Sequence, residues 1–135
     1  MENIANIPAT VFGFLGAGLG LAALLSPGWA EKLVRLRADS SRPEGYAEFR
    51  ATFGGVFLFL HVGFLAAVFL GQGVIGAAAI LSFGWGGAAF GRIVSLVLDG
   101  DTVRSRHNFI SIGVEVTAGV AFALPVLDFV FYPPL

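Results

Sequence analysis

The chain has 135 residues, of which 56% are hydrophobic and only 13% charged. That is about half the charge of an ordinary soluble domain, and it leaves too few polar side chains to cover a water-soluble globule. A net charge of −1 offers no basic face for nucleic acid. The absence of cysteine excludes disulfides, thiolate nucleophiles and cysteine metal sites.

A hydrocarbon core about 30 Å thick takes roughly 20 apolar residues in a helix. The first such stretch is Ile4–Leu25, which carries no charge. It lacks a basic leader, and Ser26-Pro27-Gly28-Trp29 is a poor cleavage site, so it is expected to stay as a mature helix. Loop one, Ser26 to Glu48, holds Lys32, Arg35, Arg37 and Arg42. Within it Trp29, Leu33 and Leu36 recur at helical spacing beside Lys32 and Arg35. Two readings stay open here: an interfacial helical turn, or a solvated loop anchored by Trp29. Arg42-Pro43-Glu44-Gly45 is expected to break the chain before the next helix.

The second span is Phe49–Leu70, with Arg50 at its edge and His61 inside. Loop two is only Gly71-Gln72-Gly73, so the flanking helices must form an antiparallel hairpin. The third span, Val74–Leu98, has Arg92 as its one charge. Loop three, Asp99 to Asn108, holds Arg104 and Arg106. The fourth span, Phe109–Tyr132, contains Glu115 and Asp128. The expectation is an all-α fold: a single-domain integral membrane bundle of four transmembrane helices over residues 1–135. Open strands are excluded, because their backbone groups would lack partners in lipid. Basic loop residues occur only in loops one and three, so both loops are expected in the cytoplasm and both termini outside.

Small residues let helices approach closely in lipid. Gly13, Gly16 and Gly20 on the first helix, and Gly84, Gly87 and Gly91 on the third, form two such faces. They are expected to pack within the bundle, with contact between copies of the chain as the alternative.

Ionisable groups inside a span cost about 2.5–3.5 kcal/mol each on insertion scales. They usually face the protein interior or a water-filled cavity, so their positions point to function. Asn108, Ser111 and Glu115 share one helix face, and Arg92, Ser95 and Asp99 share another. Arg50, Gly54, Phe57 and His61 form a stripe on the second helix. Arg92 and Glu115 each lie about six residues from the cytoplasmic end of their helices, roughly 9 Å deep at 1.5 Å per residue. They are therefore expected to pair. Arg50 and Asp99 belong nearer the interface and His61 near the midplane, so the whole is expected to form a polar funnel open to the cytoplasm. One reading makes the pair a device that fixes helix register. The other makes the funnel a site for a polar headgroup, an anion or a proton. One pair would suffice for register, and six further polar residues favour the second. His61 has no second histidine in any span, so no metal is expected. Asp128 belongs to the outer interface.

Three motifs occur in order. Glu48-Phe49-Arg50 leads to Gly54-Gly55. Gly91-Arg92-Ile93-Val94-Ser95 leads to Asp99-Gly100. Glu115 follows in the last helix. This pattern resembles an uncharacterised family of small bacterial four-helix membrane proteins, a domain of unknown function, over most of the chain. The resemblance implies the four-helix fold and a location in the bacterial cytoplasmic membrane. It implies no activity.

The leading functional expectation is a site that binds, and acts by acid–base chemistry on, an amphipathic lipid-like or isoprenoid molecule. Phe53, Phe57, Phe83, Trp85 and Phe122 would line the tail. Arg50, Arg92, Glu48, Ser95, Ser111 and Asn108 would meet the polar end. Glu115 would act as general acid for an isomerase- or cyclase-type reaction, Asp99 or Glu48 as a second carboxyl and His61 as a relay. The expected partners are membrane lipid and a hydrophobic small molecule, with no cofactor, and a second copy of the chain through the glycine faces. A small proton-coupled transporter and a structural subunit of a larger membrane complex are the alternatives. Nucleophile-elbow and phosphate-loop motifs are absent.

Overall fold

A computed structural model describes residues 4–39, 41–42 and 44–133. The break expected at Arg42-Pro43-Glu44-Gly45 falls partly outside the described residues, at Pro43. Among those described, every regular element is helical. The long helices are α1 (Asn6–Leu25), α3 (Gly45–Leu70), α4 (Val74–Leu98) and α5 (Arg106–Phe131), and each is long and apolar enough to cross a membrane. A short helix, α2, covers Pro27–Val34. Phe59, Phe69, Phe83 and Phe90 are each at least 67% exposed, in the interior or last turn of their helices. Burial of apolar surface in water would not leave them so, whereas lipid tails solvate them. This is a multi-pass membrane protein.

The chain divides into two compact units, one of Gly13–Leu70 and one combining Met1–Phe12 with Gly71–Leu135. In the first unit, α1 packs on α3 through its glycines. A Cβ at Gly13 would meet Phe64 and Leu65, one at Gly16 the His61 ring, and one at Gly20 the Leu58 backbone. Close packing of small residues replaces the hydrophobic drive that lipid removes. After Ser26, Pro27 occupies the first turn of α2, where its missing N–H costs nothing. The helix ends at Arg35, in the left-handed region at φ 57°. Trp29 and Leu33 are exposed on α2 beside Lys32, so this part of loop one is helical, whereas the exposed Leu36 falls beyond the end of the helix. Glu31 Oε1 accepts from the Ala38 N–H at 2.7 Å and ties the following segment back. Ala23, Ala30 and Phe49 form a small core with Val34, Ala38 and Phe53 packed on it.

Helix α3 contains an unexpected element. Phe49–Val56 is π-helical, eight residues long. Its i→i+5 bonding widens the turn, and such segments are rare and short. Gly54 and His61 are buried and Arg50 is exposed. All three nonetheless face α1, Arg50 and Gly54 at Leu24 and His61 at Gly16, and Phe57 packs on the His61 ring.

In the second unit, α4 and α5 form the other hairpin. Gly71 and Gly73 both adopt positive φ, 68° and 74°, which stops α3 and starts α4 within one tight turn. Gly100 (φ 78°) and a 3₁₀ turn, Asp101–Val103, lead into α5. Ser105 caps α5 by accepting from the Asn108 N–H at 3.3 Å. Arg104 donates to Leu96 O at 3.2 and 3.3 Å and to Asp101 Oδ1 at 2.7 Å, covering one carbonyl in the last turn of α4.

The helices meet at Ser82 and Gly86 of α4 and Gly119 of α5, and Ala78, Leu81 and Ala89 of α4 and Ala118 and Phe122 of α5 are buried. Ser82 Oγ donates to Gly119 O at 2.9 Å, and Gly119 faces the backbone of Gly86. α4 meets α5 on a different face from its glycine stripe. Gly84, Gly87 and Gly91 lie on the side away from α5, and a Cβ at any of them meets nothing within 4 Å. Small residues at helical spacing permit a close contact without specifying which neighbour makes it.

Candidate functional site

Three polar side chains converge inside the α4–α5 hairpin. Arg92 Nε donates to Glu115 Oε1 at 2.7 Å. Arg92 Nη1 donates to Asn108 Oδ1 at 3.1 Å, and Asn108 Nδ2 donates to Val103 O at 3.2 Å. The loop carbonyl holds the carboxamide, the carboxamide orients the guanidinium, and the guanidinium meets the carboxylate. Asn108 and Glu115 share a face of α5 at a spacing of seven, which is why one arginine reaches both. The pairing expected from a common depth is present.

The pair is not evenly satisfied. The Glu115 side chain is only 10% exposed, and its Oε2 is buried without a hydrogen-bond partner among the described residues. Buried polar atoms are nearly always partnered, and a charged one left alone is costly. The Arg92 side chain is 35% exposed, so the open approach to the carboxylate lies on the arginine side.

The remaining predicted residues of this unit sit close by in sequence. Ser95 Oγ donates to Asp99 Oδ2 at 2.6 Å at the exposed end of α4. The Asp99 carboxylate is therefore engaged by its own helix. Ser111 is half-buried one turn from Glu115, and Trp85 is half-buried on α4. Phe83 is 83% exposed and Phe122 fully buried.

The Gly13–Leu70 unit holds the others. His61 is buried, and its Nδ1 lies 2.7 Å from Phe57 O. A carbonyl only accepts, so Nδ1 carries the proton. The Phe57 and His61 rings pack at a centroid distance of 4.5 Å. Arg50 Nε donates to Leu24 O at 3.2 Å, placing a cation on the last turn of α1. That contact gives Arg50 a capping role that the sequence did not reveal. Glu48 is exposed and lines an open cavity of about 460 Å³ with Arg37, Arg42, Phe49 and Phe53. Among the described residues no group of three His, Asp or Glu side chains is placed to hold a metal ion.

A family model described as a domain of unknown function, DUF4345, matches residues 4–125. The chain belongs to this family. The DUF4345 match takes in α1 to α4, most of α5, and all three members of the Arg92–Glu115–Asn108 cluster. No curated protein and no solved structure matches the chain.

Proposed function

We propose that the α4–α5 hairpin carries an intramembrane binding site for an amphipathic, lipid-like molecule of the isoprenoid kind, with Arg92 and Glu115 at its polar end. The observation that carries this reading is the unpartnered, buried Oε2 of Glu115 beside Arg92. A pair that serves helix register alone is most stable when every polar atom is satisfied. An acceptor held open inside a span is better explained by a group that arrives. The chemistry this site equips is proton transfer through Glu115, whose second carboxylate oxygen is open to a proton from the bound molecule. We place the protein in the bacterial cytoplasmic membrane with loops one and three inside. The open glycine face of α4 supports contact between two copies.

Native mass spectrometry of gently solubilised protein tests the reading. The expected spectrum carries a lipid-like mass bound near one per chain, and reports the mass of a dimer where copies associate. A spectrum of bare protein across detergents would refute the binding site.

Orientation has its own test. Gln72 and Thr102 are exposed at opposite ends of α4. A cysteine replacing Gln72 should react with an impermeant maleimide on intact cells, and one replacing Thr102 only after permeabilisation. The reverse pattern turns the site outward.

A further inference from the structure

We propose that this site selects an uncharged hydroxyl head, that of a long-chain alcohol or an acylglycerol, over anionic and cationic amphiphiles. The proposal rests on the binding reading above and adds the chemistry of the head.

The first argument is the hydrogen-bond inventory of the hairpin. Glu115 Oε1, Arg92 Nε and Arg92 Nη1 are engaged in the cluster, and Asn108 spends its oxygen on Arg92 and its NH₂ on Val103 O. Ser82, Ser95 and Thr117 give their hydroxyl protons to Gly119 O, Asp99 Oδ2 and Gly113 O. What remains beside the ion pair is one acceptor, Glu115 Oε2, the outer N–H groups of Arg92 and, one turn along α5, the half-buried Ser111 hydroxyl. A hydroxyl answers the first two: its proton goes to Oε2 and its oxygen accepts from the guanidinium. Glu115 needs only a turn of its terminal torsion, which is broad, to meet a head entering past the part-exposed Arg92.

The second argument is charge. Arg92 and Glu115 already cancel. A carboxylate or phosphate head has no proton for Oε2 and adds a like charge beside it. An ammonium head has the proton but sits against the guanidinium. Both repulsions act where screening is weak. A neutral donor meets neither.

The third argument is depth. Arg92 lies six residues inside the end of α4 at Leu98, about 9 Å by helix rise. A charged head that far below the interface loses its hydration. A hydroxyl head is uncharged and pays far less to follow its chain inward.

The test uses the full chain in nanodiscs and three probes with one tail: radiolabelled 1-hexadecanol, with palmitate and hexadecylamine as competitors. Hexadecanol should bind saturably, and each charged competitor should be about tenfold weaker, the scale of one charge-assisted hydrogen bond. Glu115→Gln removes the acceptor and the negative charge. It should weaken hexadecanol about tenfold and strengthen palmitate, because Arg92 is then unneutralised. Ser82→Ala, outside the cluster, should leave all three affinities unchanged, and the thermal midpoint of each variant checks folding. Palmitate or hexadecylamine binding as tightly as hexadecanol to the unaltered protein would overturn the neutral head while leaving a lipid-like ligand in place. Failure of all three probes to saturate would overturn it too. A co-purified lipid in the native spectrum would then keep the broader reading alive, and a bare protein would end both.

Discussion

Arg92→Ala should lower the unfolding midpoint of the protein in detergent more than any other substitution of a polar residue in the α4–α5 hairpin. The change leaves the nine-tenths-buried Glu115 carboxylate without its one hydrogen-bond donor among the described residues and strands Asn108 Oδ1 as well. Removing one partner of a buried pair costs about 3–5 kcal/mol. The lower end applies here, because Arg92 is about one-third exposed. Glu115→Gln should be milder, since a carboxamide oxygen still accepts from Arg92 Nε and the remaining cation reaches solvent more readily. Urea or thermal unfolding followed by circular dichroism ranks the two. Equal midpoints for Arg92→Ala and the unaltered protein would mean that the pair contributes nothing to the fold.

The second large effect lies in the other unit. Gly54→Ala places a methyl 2.8 Å from Leu24 Cα and 2.9 Å from Leu24 N, and Gly20→Ala places one 2.5 Å from Leu58 N. These neighbours are backbone, so no rotamer change relieves the overlap, and α1 must move away from α3. Overpacking of this kind typically costs about 1–3 kcal/mol. Moving α1 at Leu24 also stretches the Arg50–Leu24 O contact. Gly84→Ala is the matched control. Its Cβ enters open space, and replacing a helical glycine by alanine is worth up to about 1 kcal/mol in favour of the variant. Thermal midpoints should therefore fall for Gly20 and Gly54 and hold or rise for Gly84. The same loss at all three would indicate a generic response of membrane helices to alanine.

What was legible in the sequence follows from what lipid enforces. Loop two and α4 match their expected residues to the position, because Gly71 and Gly73 punctuate an apolar run and both need positive φ. The apolar spans that mark α3 and α5 begin late, at Phe49 and Phe109. The helices begin at Gly45 and Arg106. Apolarity marks the part of a helix inside the membrane, whereas its first turn is polar and set by capping, here by Ser105. The Arg92–Glu115 pair could be found because depth is a simple count from a helix end. The π-helical segment could not, because residues with ordinary helical preference carry no mark of i→i+5 bonding. The glycine faces divide in the same way: spacing identified both, but only coordinates distinguish the packed face of α1 from the open face of α4.

Ligand retention compared across variants tests the central claim most directly. Unaltered protein, Glu115→Gln and Ser82→Ala are purified identically from native membranes, checked for a cooperative thermal unfolding transition, and weighed by native mass spectrometry. The account predicts a bound lipid-like mass on the unaltered protein and on Ser82→Ala, and its loss from folded Glu115→Gln. Equal ligand content in all three would contradict a binding role for Glu115, and would leave the Arg92–Glu115 pair as a device of helix register.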